Sequence, residues 1–162
     1  MIRYNAYKES GEVLAVDIPT QWDEVNWSLY LQLINEDDGT IEKRISILTG
    51  IELNQVLNLS IEEIINLIPV ISFTFDFADL EKAKAVPEKY KHWYIGHQSW
   101  AKLEEAKQIL AKLEGKDPLN AAADIVRIYD GTDIKDKPVT EVLGLAAFFL
   151  RSYINFISVL LN

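Results

Sequence analysis

The chain has 162 residues, no cysteine and a formal charge of −9. The lack of cysteine excludes disulfides, thiolate zinc sites, iron–sulfur ligation and a cysteine nucleophile, and it fits a reducing compartment. Residues 1–80 hold 14 Asp/Glu and 4 Lys/Arg, a net of −10, whereas residues 81–162 hold 11 and 12, a net of +1. Such an acidic half repels a phosphate backbone, so no nucleic-acid partner is expected, but it can attract a basic protein surface.

This length suits a single domain, 1–162, or two lobes: an acidic helical lobe over 1–80 and a helical lobe over 81–162 with a long C-terminal helix. A domain of this size buries about 70% of its unfolded surface and needs no disulfide or metal staple. Met1 to Asn5 lack the apolar core of a signal peptide.

In chain order, Ile2 to Ile18 reads as a strand pair turning at Ser10 and Gly11, and Pro19 stops the pairing. Asn26 suits a helix cap, and Trp27, Tyr30, Leu31 and Ile34 share one helical face. Asp38 and Gly39 break the chain. Ile41, Ile45 and Leu48 form the stripe of a second helix ended by Gly50, and Leu53, Val56 and Leu57 suggest another helical turn. Ser60 with Glu63 matches a capping box, after which Ile61, Ile64, Ile65 and Ile68 build an apolar face that Pro69 ends or kinks.

Phe77 to Tyr90, with Lys82 and Lys84, reads as an exposed connector, and Trp93 to Ile95 as a short strand closed by Gly96. Ser99 caps a helix running to Leu113, with Leu103, Ala106 and Leu110 inward. Asp117 and Pro118 open another, striped by Ala122, Ile125, Val126 and Tyr129, and Asp130 to Asp133 form a turn. Thr140 suits the cap of the last helix. That helix matches the membrane-spanning length of about 20 residues. Arg151 in its middle would cost about 2.5–3.5 kcal/mol to insert, so the helix reads as buried nearly all round in a soluble protein, with Arg151 at the rim or paired. The fold class is therefore mostly α: a compact multi-helix bundle with a short N-terminal β-hairpin and a minor β element near residues 90–96.

No catalytic or metal constellation emerges. His92 and His97 are five apart, which fits neither helical nor strand ligand spacing, and Asp130, Asp133 and Asp136 fail the calcium-loop pattern. The seven glycines form neither a dinucleotide fingerprint nor a phosphate loop, and no serine sits in a nucleophile elbow. No cofactor is expected, and the chain reads as a non-enzyme. Trp27 and Trp100 lie near helix starts and are candidates for partner contact or for core packing.

A resemblance adds to this reading. Pro19, Trp22, Asp23, Glu24, Val25 and Trp27, then Ser46 to Ile51, then Leu59 to Ile64, occur in an order similar to small acidic proteins of tailed bacteriophages. Tyr94 to Gly96, Ile125 to Tyr129 and Val142 to Leu150 extend it over most of the chain. The chain thus resembles tail-assembly-chaperone-like proteins of phages of Bacteroidetes-type hosts. The resemblance carries no catalytic residues. It implies virion assembly by binding other phage structural proteins, with a homo-oligomer as a further arrangement and no membrane partner. The place of action would be the host cytoplasm during infection, or the virion if the chain is a permanent connector, tail-ring or capsid-associated component. The partner-binding candidates are Ile61, Ile64, Ile65, Ile68, Trp27 and Trp100, with a basic amphipathic helix or a neighbouring subunit as occupant.

Overall fold

The computed structural model describes residues 1–8, 10–36, 39–76, 80 and 85–160, without the Leu160 side chain. Helices account for 62% of the fold, which makes it mostly α with an N-terminal hairpin. The chain divides into two compact units, Met1–Asp79 and Leu80–Asn162. Asp38, and residues 77–79 and 81–84 of the expected connector, lie outside the described residues.

Unit 1 begins with an antiparallel hairpin of β1 (Ile2–Tyr7) and β2 (Val13–Ile18), in a register that pairs Ile2 with Ile18 and Tyr7 with Val13. Alternation turns Ala6 and Ile18 into the core and leaves Arg3, Asn5, Ala15 and Asp17 outside. A lone two-stranded hairpin is marginal in water, so its inner face must be covered, and β2 packs on α2. Four helices follow: α1 (Trp27–Ile34), α2 (Ile41–Thr49), α3 (Leu53–Val56) and α4 (Ile61–Ile71). Asn26 caps α1 by accepting the Leu29 N–H at 2.8 Å, and Gly50 takes the left-handed conformation (φ 70°) that ends α2.

Helix α2 is the centre of this unit, touching α1, α3 and α4 as well as β2. Its Arg44 donates from Nη1 to the Thr74 carbonyl at 3.0 Å and from Nε to the Gly39 carbonyl at 3.2 Å, and its guanidinium lies 4.6 Å from the Phe75 ring. Pro69 does not end α4, which runs on to Ile71 and a 3-10 turn at Ser72–Phe75. The proline removes one N–H donor near the helix end, and the Ser72 N–H still reaches the Pro69 carbonyl.

Unit 2 contains α5 (Trp100–Ala111), α6 (Ala122–Asp130) and α7 (Val139–Leu160). Ser99 caps α5, and Asp117 accepts the Leu119 N–H at 2.8 Å to start the 3-10 turn that leads into α6. Helix α6 packs on both α5 and α7. Trp93 stands edge-on to Phe149 at 4.9 Å, and Tyr129 stacks on that ring at 6.0 Å.

Three expectations for this unit are corrected. Residues 90–96 hold no strand but 3-10 turns at Glu88–Tyr90 and Ile95–His97. No strand among the described residues pairs with this segment, and its N–H groups close locally, Trp93 onto the Tyr90 carbonyl and His97 onto that of Tyr94. Thr140 does not cap α7, because the helix starts one residue earlier, at Val139. Nor is α7 buried all round. Its stretch Val142 to Leu150 is mostly buried, whereas Arg151, Ile154, Asn155, Ser158 and Val159 are exposed. By length and composition Val139–Val159 could cross a membrane (mean hydropathy 1.6), but 44% of that window is buried within the fold.

Candidate protein-interaction surface

Helix α4 is apolar on nearly every side, so its rotation decides what the protein presents. Three ties to the hairpin set that rotation. The Ser60 N–H donates to the Tyr7 carbonyl at 3.3 Å, Lys8 and Leu59 form a β-bridge, and the Tyr4 hydroxyl donates to Glu63 Oε2 at 2.7 Å. Ser60 accepts the Glu63 N–H at 3.2 Å, as a helix cap should, while the Glu63 carboxylate is spent on Tyr4. Burial first, then the hydrogen bond and charge of Glu63, push the Tyr4 phenol up to about 12.

The tie to Tyr4 turns Glu63, Leu67 and Ile71 into the core, one helical repeat apart. Residues two apart on a helix differ by about 200°, so burying 63 and 67 forces 61 and 65 outward. Ile61 is 80% exposed and Ile65 58%. The helix therefore buries a glutamate (9% exposed) while exposing two isoleucines, forgoing about 1.5–3 kcal/mol of burial for each isoleucine. Leu57, just after α3 and 64% exposed, lines the same hollow as Ile61 and Ile65.

Leu57, Ile61 and Ile65 line one side of a hollow of about 240 Å³ together with Val56, Leu59, Ile64 and Glu42. No lysine, arginine or histidine occurs between residues 45 and 81. Elsewhere in the unit Lys8 pairs with Glu12, Lys43 with Glu36, and Arg44 is held by carbonyls. Glu42, Glu52 and Glu62 make no ion pair among the described residues, so the aliphatic surface carries uncompensated carboxylates on its own elements.

The candidates from the sequence separate clearly. Ile61, Ile64 and Ile65 come together at this hollow; Ile68 is half-buried on the same helix and does not line it. Trp27 is removed as a surface residue: it is wholly buried and tilts against Tyr30 at 5.5 Å. Trp100 is 67% exposed but belongs to α5 in the other unit. Leu57 and Glu42 were not singled out from the sequence, because both lie outside α4 and only the fold brings them to Ile61 and Ile65.

Unit 2 has a second apolar depression. Tyr94 folds its ring over Gly96, where a Cβ would lie 2.8 Å from Tyr94 Cζ, so glycine is needed for this close approach. Tyr94 with Trp93, Phe156 and Val159 walls a hollow of about 290 Å³. A smaller one of about 170 Å³ adjoins it through the shared Ser152 and Asn155, with Arg151 at its edge.

The titratable groups of unit 2 make a lock, not a reactive centre. Asp130 accepts hydrogen bonds from Thr132, Tyr90 and Lys89, the last at 3.3 Å. Burial opposes ionisation of Asp130, but these bonds outweigh it and hold the carboxyl below its ordinary value. Both histidines are exposed, and among the described residues no three His, Asp or Glu side chains converge on a metal-sized point. No protein-family model, curated protein or solved structure matches the chain.

Proposed function

We propose that this chain is a non-enzymatic assembly protein of a tailed bacteriophage, chaperone-like in its action, which docks structural proteins of the same phage on the Leu57, Ile61 and Ile65 ridge of unit 1. One observation carries the docking reading: α4 is held with Glu63 inside and Ile61 and Ile65 outside. Exposed aliphatic side chains with free carboxylates around them suit an apolar partner segment bearing basic residues. The apolar contact supplies affinity, and the charges supply rate and salt sensitivity. The phage assignment rests on the motif resemblance from Pro19 to Leu150, and the place of action that goes with it is the host cytoplasm during infection.

The test is affinity capture of the tagged chain from infected cells, with mass spectrometry of purified virions alongside. The proposal expects tail or other structural proteins of the phage in the capture, their loss on Ile65→Asp, and absence of the chain from finished virions. Presence in virions at fixed copy number would make it a permanent component instead. Capture of phage proteins unaffected by Ile65→Asp would remove the ridge as the docking site.

A further inference from the structure

The ridge of unit 1 and the hollow of unit 2 are both apolar, and the charged residues beside them are of opposite sign. Leu57, Ile61 and Ile65 are aliphatic and exposed, and the adjacent Glu62 is exposed and makes no ion pair among the described residues. The hollow is concave and aromatic. Arg151, which lines the smaller adjoining hollow, is exposed and makes no hydrogen bond or ion pair among the described residues. Arg151 is also the sole charged residue between Glu141 and Asn162. Along α7, Arg151, Ser152, Asn155, Phe156 and Val159 follow one helical stripe, so the cation and the apolar wall belong to a single surface. Val159 is 77% exposed beside the hollow it walls, without cover from the described residues.

We propose that the occupant of the hollow is a second copy of this chain, its Ile61 and Ile65 seated against Trp93, Tyr94 and Phe156 and its Glu62 facing Arg151. This deepens the proposal that the ridge is a docking surface and rests on it. Two different patches of one chain that fit each other make a head-to-tail contact. Such a contact propagates, closing into a ring if its rotation permits and running on as a filament if not. A free ridge at one end of such an assembly remains available to another protein.

The experiment is mass measurement by light scattering over a concentration series, with melting curves, on the full chain and on Ile65→Asp and Val159→Asp. Both positions are exposed, so both variants are expected to melt like the parent. The parent should grow beyond a dimer with concentration. Each variant alone should remain a monomer, since each lacks one half of the contact. An equimolar mixture of the two should give a dimer that grows no further, because only one ridge and one hollow remain intact. A parent that stays monomeric at every concentration overturns the proposal, as does a mixture that stays monomeric. If Val159→Asp alone still assembles, the contact does not use the hollow and the proposal likewise falls. A monomeric parent whose phage partners are nevertheless lost on Ile65→Asp would reject self-docking while leaving the ridge as a docking surface.

Discussion

The Tyr4 hydroxyl and the Glu63 carboxylate, 59 residues apart in sequence, meet in a 2.7 Å hydrogen bond that sets the rotation of α4. Tyr4→Phe should leave Glu63 buried without its donor and lower stability by about 1–3 kcal/mol, read as a shifted urea midpoint. The pH dependence has a definite sign. The Tyr4 phenol sits at about 12 in the fold against 10.0 ordinarily. Its contribution is therefore complete below pH 10 and is lost as pH rises towards about 12. The gap between parent and Tyr4→Phe should narrow over that interval.

Asp130 offers the opposite sign. Its folded carboxyl lies below the ordinary value, so its contribution is complete above the unfolded pKa of about 3.9 and is lost as pH falls through the lower folded value. Asp130→Asn should be less stable than the parent at neutral pH, and the difference should shrink below about pH 4. Equilibrium unfolding at pH 7 and at acid pH measures this directly. A difference that is constant with pH would mean that the charge of Asp130 is not what binds Tyr90, Thr132 and Lys89.

Tyr129 should gain by losing its hydroxyl. The oxygen is buried without a hydrogen-bond partner among the described residues, and burial pushes the phenol up to about 12. Its ring is held by Phe149 and Trp93 irrespective of the hydroxyl. Tyr129→Phe removes an unpaired polar group at nearly constant shape and should raise stability by about 1 kcal/mol. A loss on this substitution would show that the hydroxyl has a partner.

Local features were readable in the sequence where local chemistry decides them. Asn26, Ser60, Ser99 and Asp117 cap as their side chains and positions suggest, and Gly50 and Gly131 end helices in the left-handed conformation. What could not be read was the choice among equally apolar faces. Periodicity marked Ile61, Ile64, Ile65 and Ile68 as one stripe, but the core takes Glu63, Leu67 and Ile71 because a tyrosine far off in sequence holds Glu63. The same limit applies to Trp93–Ile95, where strand-prone residues find no strand to pair with, and to Asp130, a turn residue by its neighbours that becomes an acceptor for Tyr90 and Lys89 some 40 positions earlier. Trp27 could serve core or surface equally well by type, and only packing assigns it to the core.

The central claim is that Ile61 and Ile65 face outward for a partner. The most direct measurement is thermal melting of Ile61→Asp and Ile65→Asp, paired with capture of phage structural proteins. An exposed position tolerates aspartate, and at residue 61 the new carboxylate would also favour the first turn of α4. The account predicts melting temperatures within about 2–4 °C of the parent, the shift that roughly 1 kcal/mol produces in a chain of this size, together with loss of the captured proteins. Unfolding of both variants would place these isoleucines in the core, and folded variants that retain every partner would show that the ridge binds nothing.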